Sequence, residues 1–115
     1  MISPSIRVAT TGAELEQLRA SWNELAGAAG TGPMSSPAWL LPWWRIYGAD
    51  GARRLAAVVV SEGDRLVGLV PLVRRGHWYR PGLPYRRLEW MGTGEDVAEE
   101  VCSEYLCPLS APGHE

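Results

Sequence analysis

Two apolar runs on either side of a short polar turn constrain the fold of this chain more than any other feature of its sequence. The first run is Leu55–Val60, the second is Leu66–Val73, and the turn Glu62-Gly63-Asp64 separates them. Runs of this length, rich in Val and Leu and bounded by turn residues, are typical of the strands of a β-hairpin. We therefore predict an antiparallel hairpin. Gly68 and Pro71 interrupt its second strand, which indicates a bulge or an edge position at its end.

Two helices are predicted before this hairpin. The first begins at Thr11, whose hydroxyl can accept a hydrogen bond from the Glu14 amide in a capping box, and glycines end it. Its apolar side chains recur at helical spacing and share one face. They are Leu15, Leu18, Trp22 and Leu25. The second helix begins at Ser36-Pro37 and ends at Gly48. Pro42 lies inside it, which predicts a kink or a shorter regular part.

The remaining elements are predicted from shorter patterns. Alternating apolar residues predict a first strand at Ile6–Val8 and a strand after the hairpin at Arg87–Met91. Residues Arg74–Arg87, rich in glycine and proline, are expected to form a long loop. A short helix is expected between Asp96 and Cys102. Residues 1–115 are thus predicted to form one α+β domain, in which two N-terminal helices pack against a mostly antiparallel sheet of about four strands.

Length and composition restrict the class of protein. The 115 residues suffice for one domain with its own core, and 46% hydrophobic against 21% charged residues excludes a disordered chain. Eleven basic against thirteen acidic residues do not supply the positive charge of a dedicated nucleic-acid binder. No apolar run is long enough to span a bilayer, and the N-terminus lacks a secretory pattern. Two cysteines fit reduced thiols. We therefore expect a cytoplasmic protein with no nucleic-acid partner and no membrane span.

Four segments, in this order along the chain, resemble a known family. They are Ser36–Gly48 (SPAWLLPWWRIYG), Leu66–Leu72 (LVGLVPL), Leu88–Gly92 (LEWMG) and Ser103–Leu106 (SEYL). Together they resemble the N-terminal half of CelD-like proteins of the GNAT acyltransferase superfamily. These proteins are labelled cellulose-biosynthesis proteins and are related to the FemAB-type transferases. The resemblance covers nearly the whole chain and implies a GNAT-like fold.

The resemblance also implies a function. Such proteins carry two GNAT-like domains in tandem, and the acyl-CoA site is generally placed in the second. This chain would then be the non-CoA-binding half of an N-acyltransferase that moves an acyl group from acyl-CoA to an amine or amino sugar. It would be part of a longer protein and inactive alone. Its expected partners are the C-terminal GNAT domain, on the same or a neighbouring polypeptide, and a small-molecule amine or sugar acceptor.

The same resemblance provides candidate site residues. The Ser-Glu-Tyr segment of the family tends to lie near the interface between the halves, which makes Glu104 and Tyr105 candidate acceptor-binding residues. The alternative is that these two side chains only fix a loop. A truncated gene product is a further alternative, and it would expose apolar surface and tend to associate.

No cofactor or metal is expected in this chain. The superfamily holds pyrophosphate with an Arg/Gln-x-x-Gly-x-Gly/Ala run, using backbone amides at a helix N-terminus. The corresponding stretch here, Trp90–Asp96, lacks the full pattern and places two carboxylates where phosphates would lie. The spacing of Cys102, Cys107 and His114 matches no usual structural zinc site.

The segment Arg74–Arg87 has five arginines and no acidic residue, and two interpretations of it stay open. In one, guanidinium groups bind a phosphate or carboxylate, so that the chain is a non-catalytic module for an anionic glycan, lipid head group or protein. Arg74, Arg75 and His77 would then be binding residues, with His77 kept neutral by its basic neighbours. In the other, the segment is a solvated surface whose arginines pair with the acidic stretch 95–115.

Overall fold

Helices and strands of this chain together form an α+β fold, as predicted. The computed structural model describes residues 3–48, 53–93, 103 and 106–115. The helices are α1 Gly12–Gln17, α2 Arg19–Ala29 and α3 Pro37–Tyr47, with a short 3-10 helix at Pro33–Ser35. The strands are β1 Ser5–Ala9, β2 Arg53–Leu55, β3 Ala57–Glu62, β4 Arg65–Val70, β5 Leu72–Arg80, β6 Leu83–Trp90 and β7 Leu109–Ser110. Strands are therefore more numerous than the four or so predicted.

The strands form two antiparallel sheets that share one long hairpin. Their orders are β1-β3-β4-β7 and β2-β5-β6. Val58 of β3 lies opposite Val70 of β4, and Leu55 of β2 lies opposite Val73 of β5. The second pair follows the first without a slip, so β2 and β3 run beside β5 and β4 in one register. The Ala56 amide, 3.0 Å from the Leu72 carbonyl, bridges the gap between the sheets. The predicted hairpin is confirmed.

Pro71 marks the point at which the long hairpin divides. It is buried between β4 and β5, and its carbonyl accepts the Met91 N–H at 2.9 Å. Because proline has no N–H to return that bond, the ladder with β6 ends here and the chain leaves at Gly92. Further along the same edge, β7 takes the place of β6 beside β4. The predicted interruption at Pro71 is confirmed. The predicted bulge in this strand is confirmed as well: Val60 and Ser61 pair with Gly68 and Leu66, so Val67 is the extra residue of β4.

One face of this bent sheet carries the core. Alternate strand residues point to that face and are buried together with the helices. The buried strand residues are Ala9, Leu55, Ala57, Val59, Leu66, Val67, Leu69, Val73 and Leu109, and the helix residues include Leu15, Trp22, Leu25, Leu40, Leu41 and Trp43. Outside the bulge at Leu66 and Val67, the strand side chains between them point to the other face, where each is at least partly exposed. We call the two sides the helix face and the open face.

The first predicted helix divides at Leu18. This residue ends α1 with φ −90° and ψ 0°, and its carbonyl accepts the Trp22 N–H at 2.7 Å, which begins α2. The predicted cap is present, because the Glu14 amide donates to the Thr11 hydroxyl at 3.2 Å. The buried Trp22 indole N–H donates to the Ser35 carbonyl at 2.9 Å. That bond connects α2 to the segment before α3.

The second predicted helix, α3, continues through Pro42 from Pro37 to Tyr47. Of the two predicted effects of Pro42, the shorter regular part is therefore wrong, and the kink stays a prediction. Burial of Leu40, Leu41 and Trp43 keeps the turn around the proline in place. None of the helices among the described residues has the length and apolar character needed to cross a membrane.

The predicted long loop Arg74–Arg87 is wrong, because these residues form strands β5 and β6. Only Pro81 and Gly82 make the turn, and Gly82 has φ 85°, as position three of a type II turn requires. Gly76 lies inside β5 opposite Arg86. Pro84 lies in β6, and an edge strand tolerates proline because one side of it makes no ladder bonds.

The C-terminal part contains a strand that the sequence did not reveal. Residues Leu109 and Ser110 pair with Leu69 and Gly68, and Ala111 donates to the Val67 carbonyl at 2.9 Å. These few bonds fix the end of the chain to the sheet. The helix predicted between Asp96 and Cys102 lies outside the described residues.

Charged side chains connect the three helices at the surface. Glu16 of α1 accepts hydrogen bonds from Arg45 of α3 and from Arg19 of α2, the latter at 3.1 Å. These bonds, Arg45 first, lower the pKa of Glu16 below its ordinary value. A lowered folded-state pKa means that the contribution to stability is present above the unfolded-state pKa and is lost as the pH falls.

Glu16→Gln is expected to lower the free energy of unfolding slightly at neutral pH, because the ion pairs are exposed to solvent. The difference from the wild-type chain should remain down to about pH 4.3, the ordinary carboxyl pKa, and disappear as the pH falls further. Urea unfolding from neutral to acidic pH measures it, with Glu24→Gln on α2 as the control. A difference that grows in acid would contradict the assignment.

Candidate functional site

Strands β2, β5 and β6 carry most of the arginines singled out by the sequence, and their side chains alternate between the two faces. Arg53, Arg75 and Arg87 form a cross-strand row on the helix face. Arg54 and Arg74 lie opposite each other in the next row, on the open face. Consecutive arginines in the sequence therefore have different surroundings, because successive side chains of a strand point to opposite faces of the sheet.

On the helix face, Arg53 is buried and has its own partners. Its exposed fraction is 7%. Its Nη1 donates to the Tyr47 carbonyl at 2.9 Å, and its guanidinium carbon lies 5.6 Å from the centroid of the Trp43 ring. A carbonyl at the end of α3 and the face of an indole are both favourable surroundings for a cation. Arg53 is thus a structural residue.

Arg75 and Arg87 share one carboxylate on the same face. Glu89, whose side chain is 9% exposed, lies 2.9 Å from Arg75 Nε and 2.7 Å from Arg87 Nη2. The hydrogen bond to Glu89 raises the pKa of Arg87 above its ordinary value. Glu89 of β6, in the same hairpin, therefore pairs with both arginines. Pairing with the acidic residues 95, 96, 99, 100 and 104 stays a prediction, because they lie outside the described residues.

The open face holds a second set of arginines with a different environment. Arg54, Arg74 and Arg86 are exposed, and Arg86 is the diagonal cross-strand neighbour of Arg74. In the parts of the chain that the structure describes, no carboxylate oxygen lies within 4.0 Å of these three guanidinium groups. Leu88, which is 59% exposed, lies in the same row as Arg74. We call these four residues the arginine patch.

The arginine patch has the chemistry of an anion site. Arg54 and Arg74 are directly opposite on adjacent strands, and like charges in that position destabilise a sheet. A phosphate or carboxylate placed between them would remove the repulsion and accept paired N–H bonds from each guanidinium. The strands fix the backbone of all three arginines, so little order has to be imposed when an anion binds.

The predicted site residues do not come together in one place. Arg74 belongs to the arginine patch, whereas Arg75 lies on the helix face and binds Glu89. The backbone of His77 lies in β5 opposite Tyr85, beyond the last row of the three-stranded part. Glu104 and Tyr105 lie outside the described residues. The sequence reading did not include Arg54, although the alternation of Arg53-Arg54-Leu55 before a strand would have placed it on the exposed side.

The turn after β6 corresponds to the position at which the resemblance puts a phosphate loop. Gly92 has φ 90°, and a Cβ there would lie 2.9 Å from Ser103 Oγ and 3.1 Å from Leu40. Ser103 is held in turn by the Trp39 indole, whose Nε1 donates to its hydroxyl at 2.9 Å. The space beside Gly92 on the side of its missing Cβ is therefore filled by side chains of this chain.

A surface groove of about 580 Å³ lies between α2 and the turn that joins β3 to β4. Glu24, Glu62 and Asp64 line it together with Arg65, above apolar residues such as Leu25. The His114 ring nitrogen lies 3.0 Å from Glu62, at the same end of the sheet. Among the described residues, which include Cys107 but not Cys102, no group of three side chains has the arrangement of a metal site.

Comparison with known proteins does not identify a function for this chain. No family model matches the chain, and no curated protein or solved structure is similar to it at a significant level. The function is therefore inferred from the chain's own residues together with the resemblance described above.

Gly92→Ala should destabilise the chain more than Gly82→Ala. Both glycines have φ near 90°, so both variants incur the strain of a left-handed alanine, about 1–2 kcal/mol. No atom lies within 4 Å of a Cβ at Gly82, whereas Gly92 would meet Ser103. The additional loss should be about 1–3 kcal/mol, typical of overpacking. Thermal and urea unfolding of both variants measure it, and equal losses would contradict the close packing of Gly92.

Proposed function

We propose that this chain is an accessory half of a GNAT-like N-acyltransferase, which transfers an acyl group from acyl-CoA to an amine or amino sugar. In this proposal a second GNAT domain holds the thioester, and this chain contacts the acceptor and the second domain. The reaction needs a base for the amine and hydrogen-bond donors for the thioester carbonyl, and the proposal assigns both to the second domain.

The observation that supports this function best is the far end of the β5–β6 hairpin. Beyond Arg75 and Arg87, β2 has ended, and among the described strands β5 and β6 pair only with each other. Every residue from Arg80 to Leu88 is exposed, including Leu83 and Tyr85. The chain measures 51 Å along its longest axis and 26 Å across. We call residues 76–86 the hairpin arm.

The exposed side chains of the hairpin arm favour a second body that packs against it. A two-stranded hairpin in water is at best marginally stable, because neither face is covered and few side chains are buried. Exposed Leu83 and Tyr85 would gain free energy if a partner covered them. The second GNAT domain is the partner that the resemblance implies. The filled space beside Gly92 further supports a division in which the other half holds acyl-CoA.

The wild-type chain alone should neither bind acetyl-CoA nor acetylate an amine above the background rate. Isothermal titration with acetyl-CoA and a thiol-release assay measure the two properties. In the cell, the sequence encoded next to this chain would supply the second half. A tight one-to-one complex of acetyl-CoA with the chain alone would contradict the proposal.

An arm-shortened variant separates the role of the arm from folding. Asn-Gly joined directly between His77 and Tyr85 replaces the tip with a two-residue turn, which suits a hydrogen-bonded pair of opposite residues such as this one. Thermal unfolding of the body should change little, whereas acyl transfer by the chain together with its second half should be lost. Full activity of the shortened chain would remove the arm from the proposed function.

A second candidate function is favoured by the arginine patch. In it, the chain is a non-catalytic module that docks an anionic glycan, lipid head group or acidic protein. The three patch arginines share one face, have no carboxylate partner among the described residues, and lie beside the exposed Leu88. Binding by such a patch weakens as the salt concentration rises.

The double variant Arg74→Gln/Arg86→Gln should elute from a heparin column at a clearly lower salt concentration than the wild-type chain. The matched control is Arg19→Gln/Arg45→Gln on the helices, which removes the same two charges from arginines already paired with Glu16. It should elute closer to the wild-type chain. Equal shifts for the two would show that heparin senses net charge alone and would dismiss the patch as a site.

A further inference from the structure

The hairpin arm and the arginine patch adjoin each other, and their side chains follow a definite order along the hairpin. Leu83 and Tyr85 are exposed near the tip, where the sequence also has Trp78, Tyr79 and two prolines. Arg86 follows on the open face, and the other two patch arginines lie further towards the body of the domain. From the tip inward, apolar side chains are therefore followed by cations and then by the body.

The sequence of this end of the hairpin contains no acidic residue. Residues 74–88 include five arginines and neither Asp nor Glu. Glu89, the next carboxylate along β6, is paired with Arg75 and Arg87 on the helix face. The acidic groove lies at the turn between β3 and β4, which is the opposite end of the long hairpin. Because the whole chain has a formal net charge of −2, an anionic partner is attracted by the arm end and not by the net charge.

The shape of the arm favours a broad surface over a small ligand. Every residue from Arg80 to Leu88 is exposed, so this part of the arm is a projecting ribbon and not the wall of a pocket. Small ligands bind in concave pockets that cover most of their surface. A ribbon of this kind is covered by a broad partner, which must accept apolar side chains at the tip and cations beneath them.

We propose that the hairpin arm docks on a bilayer of anionic lipids, with its tip in the interface and the arginine patch at the phosphate groups. This inference rests on the second candidate function, and it gives the arm a membrane instead of a second domain as its partner. A bilayer has the same order of layers, because acyl chains lie beneath a layer of anionic phosphates. Tyrosine and tryptophan concentrate at that boundary, since their rings are apolar on one side and carry a hydrogen-bonding group on the other.

The dimensions of the arm match the depth of such docking. Leu83 is three residues nearer the tip than Arg86, which is about 10 Å at about 3.3 Å per residue. Elements that lie in the interface typically reach about 5–10 Å into the boundary between head groups and acyl chains. Leu83 therefore enters the acyl region while Arg86 remains at the phosphates. Arg80, also in the tip, has a side chain long enough to reach back to the head groups.

Docking on a membrane uses both parts of this end of the hairpin. A few arginines or a few apolar side chains alone give weak and reversible attachment to a membrane, whereas the two together strengthen it. An anionic glycan offers charge without acyl chains, so it would engage the arginines and leave Leu83 uncovered. The contribution of the tip therefore distinguishes a bilayer from other anions.

Co-sedimentation of the whole chain with vesicles tests the role of charge. Vesicles of equal parts phosphatidylcholine and phosphatidylglycerol should bind the chain at least about tenfold more tightly than vesicles of phosphatidylcholine alone. Arg74→Gln/Arg86→Gln should weaken binding to the mixed vesicles by about tenfold. The matched control, Arg19→Gln/Arg45→Gln, removes two charges from the helices and should weaken it much less. Equal binding to both kinds of vesicle, or equal effects of the two double variants, would overturn the proposal.

A second experiment tests the tip. Leu83→Ser should weaken binding to the mixed vesicles by about fivefold, because it removes apolar surface from the interface. It should leave elution from heparin unchanged, because the arginine patch is intact. The matched control is Ile46→Ser on α3, which removes another exposed apolar side chain, away from the arm, and should leave both properties unchanged. Thermal unfolding confirms that both variants fold.

The outcomes separate this proposal from the two candidate functions. Binding to heparin through the patch without binding to the mixed vesicles would exclude the bilayer and leave docking of another anion. Equal effects of Leu83→Ser and Ile46→Ser on vesicle binding would refute insertion of the tip. Release from the vesicles by glycerol phosphate, a soluble form of the head group, would refute it too, because a free phosphate has no acyl layer. Acyl transfer that needs the arm, in a chain that does not bind the mixed vesicles, would assign the arm to the second domain.

Discussion

The unbroken register of one long hairpin is the constraint on which the rest of this structure depends. From Arg53 to Val60, strands β2 and β3 run beside β5 and β4 without a slip, although Ala56 and Pro71 interrupt them. Because the register does not change over this length, one set of alternate residues faces the helices and the other set faces away, as far as the bulge at Val67. A slip of one residue would move Leu55, Val59 and Leu69 out of the core. The positions of the core, of the open face and of both rows of arginines all follow from this register.

Electrostatics differs sharply between the two faces of the same strands. On the helix face, burial makes an unpaired charge costly, and each arginine there has a carbonyl, an indole or Glu89 as partner. On the open face, solvent lowers that cost, so Arg54 and Arg74 can remain opposite each other. The charges that are available for binding are therefore those that the fold does not use.

The sequence predicted the elements that local rules determine. The hairpin around Gly63, the cap at Thr11 and the apolar stripe of Leu15 and Trp22 depend on neighbours a few residues away, and the structure has all of them. The loop predicted for residues 74–87 was wrong. Glycine and proline are typical of loops, but an edge strand accommodates Pro84. A two-residue strand such as β7 has no pattern of its own, since tertiary pairing alone defines it.

Site residues were harder to predict than elements for the same reason. Arg74 and Arg75 are chemically identical in the sequence, and only their order within a strand assigns one to the solvent and the other to Glu89. Arg54 comes from a different strand, and its place opposite Arg74 needs the register of the sheet. The charges in the sequence alone could identify the arginine-rich segment 74–87, but not the face of the sheet on which each arginine lies.

The division of the sheet edge at Pro71, where the chain leaves β6 at Gly92 and returns as β7, has a consequence for how this fold can vary. Strands β6 and β7 occupy successive parts of one edge, so the connection from Gly92 to Leu109 is an insertion within a single strand position. Both flanks are secured independently by their own ladder bonds. The ladder bonds would therefore tolerate a longer connection, provided that Ser103 keeps its contacts with Gly92 and with the Trp39 indole.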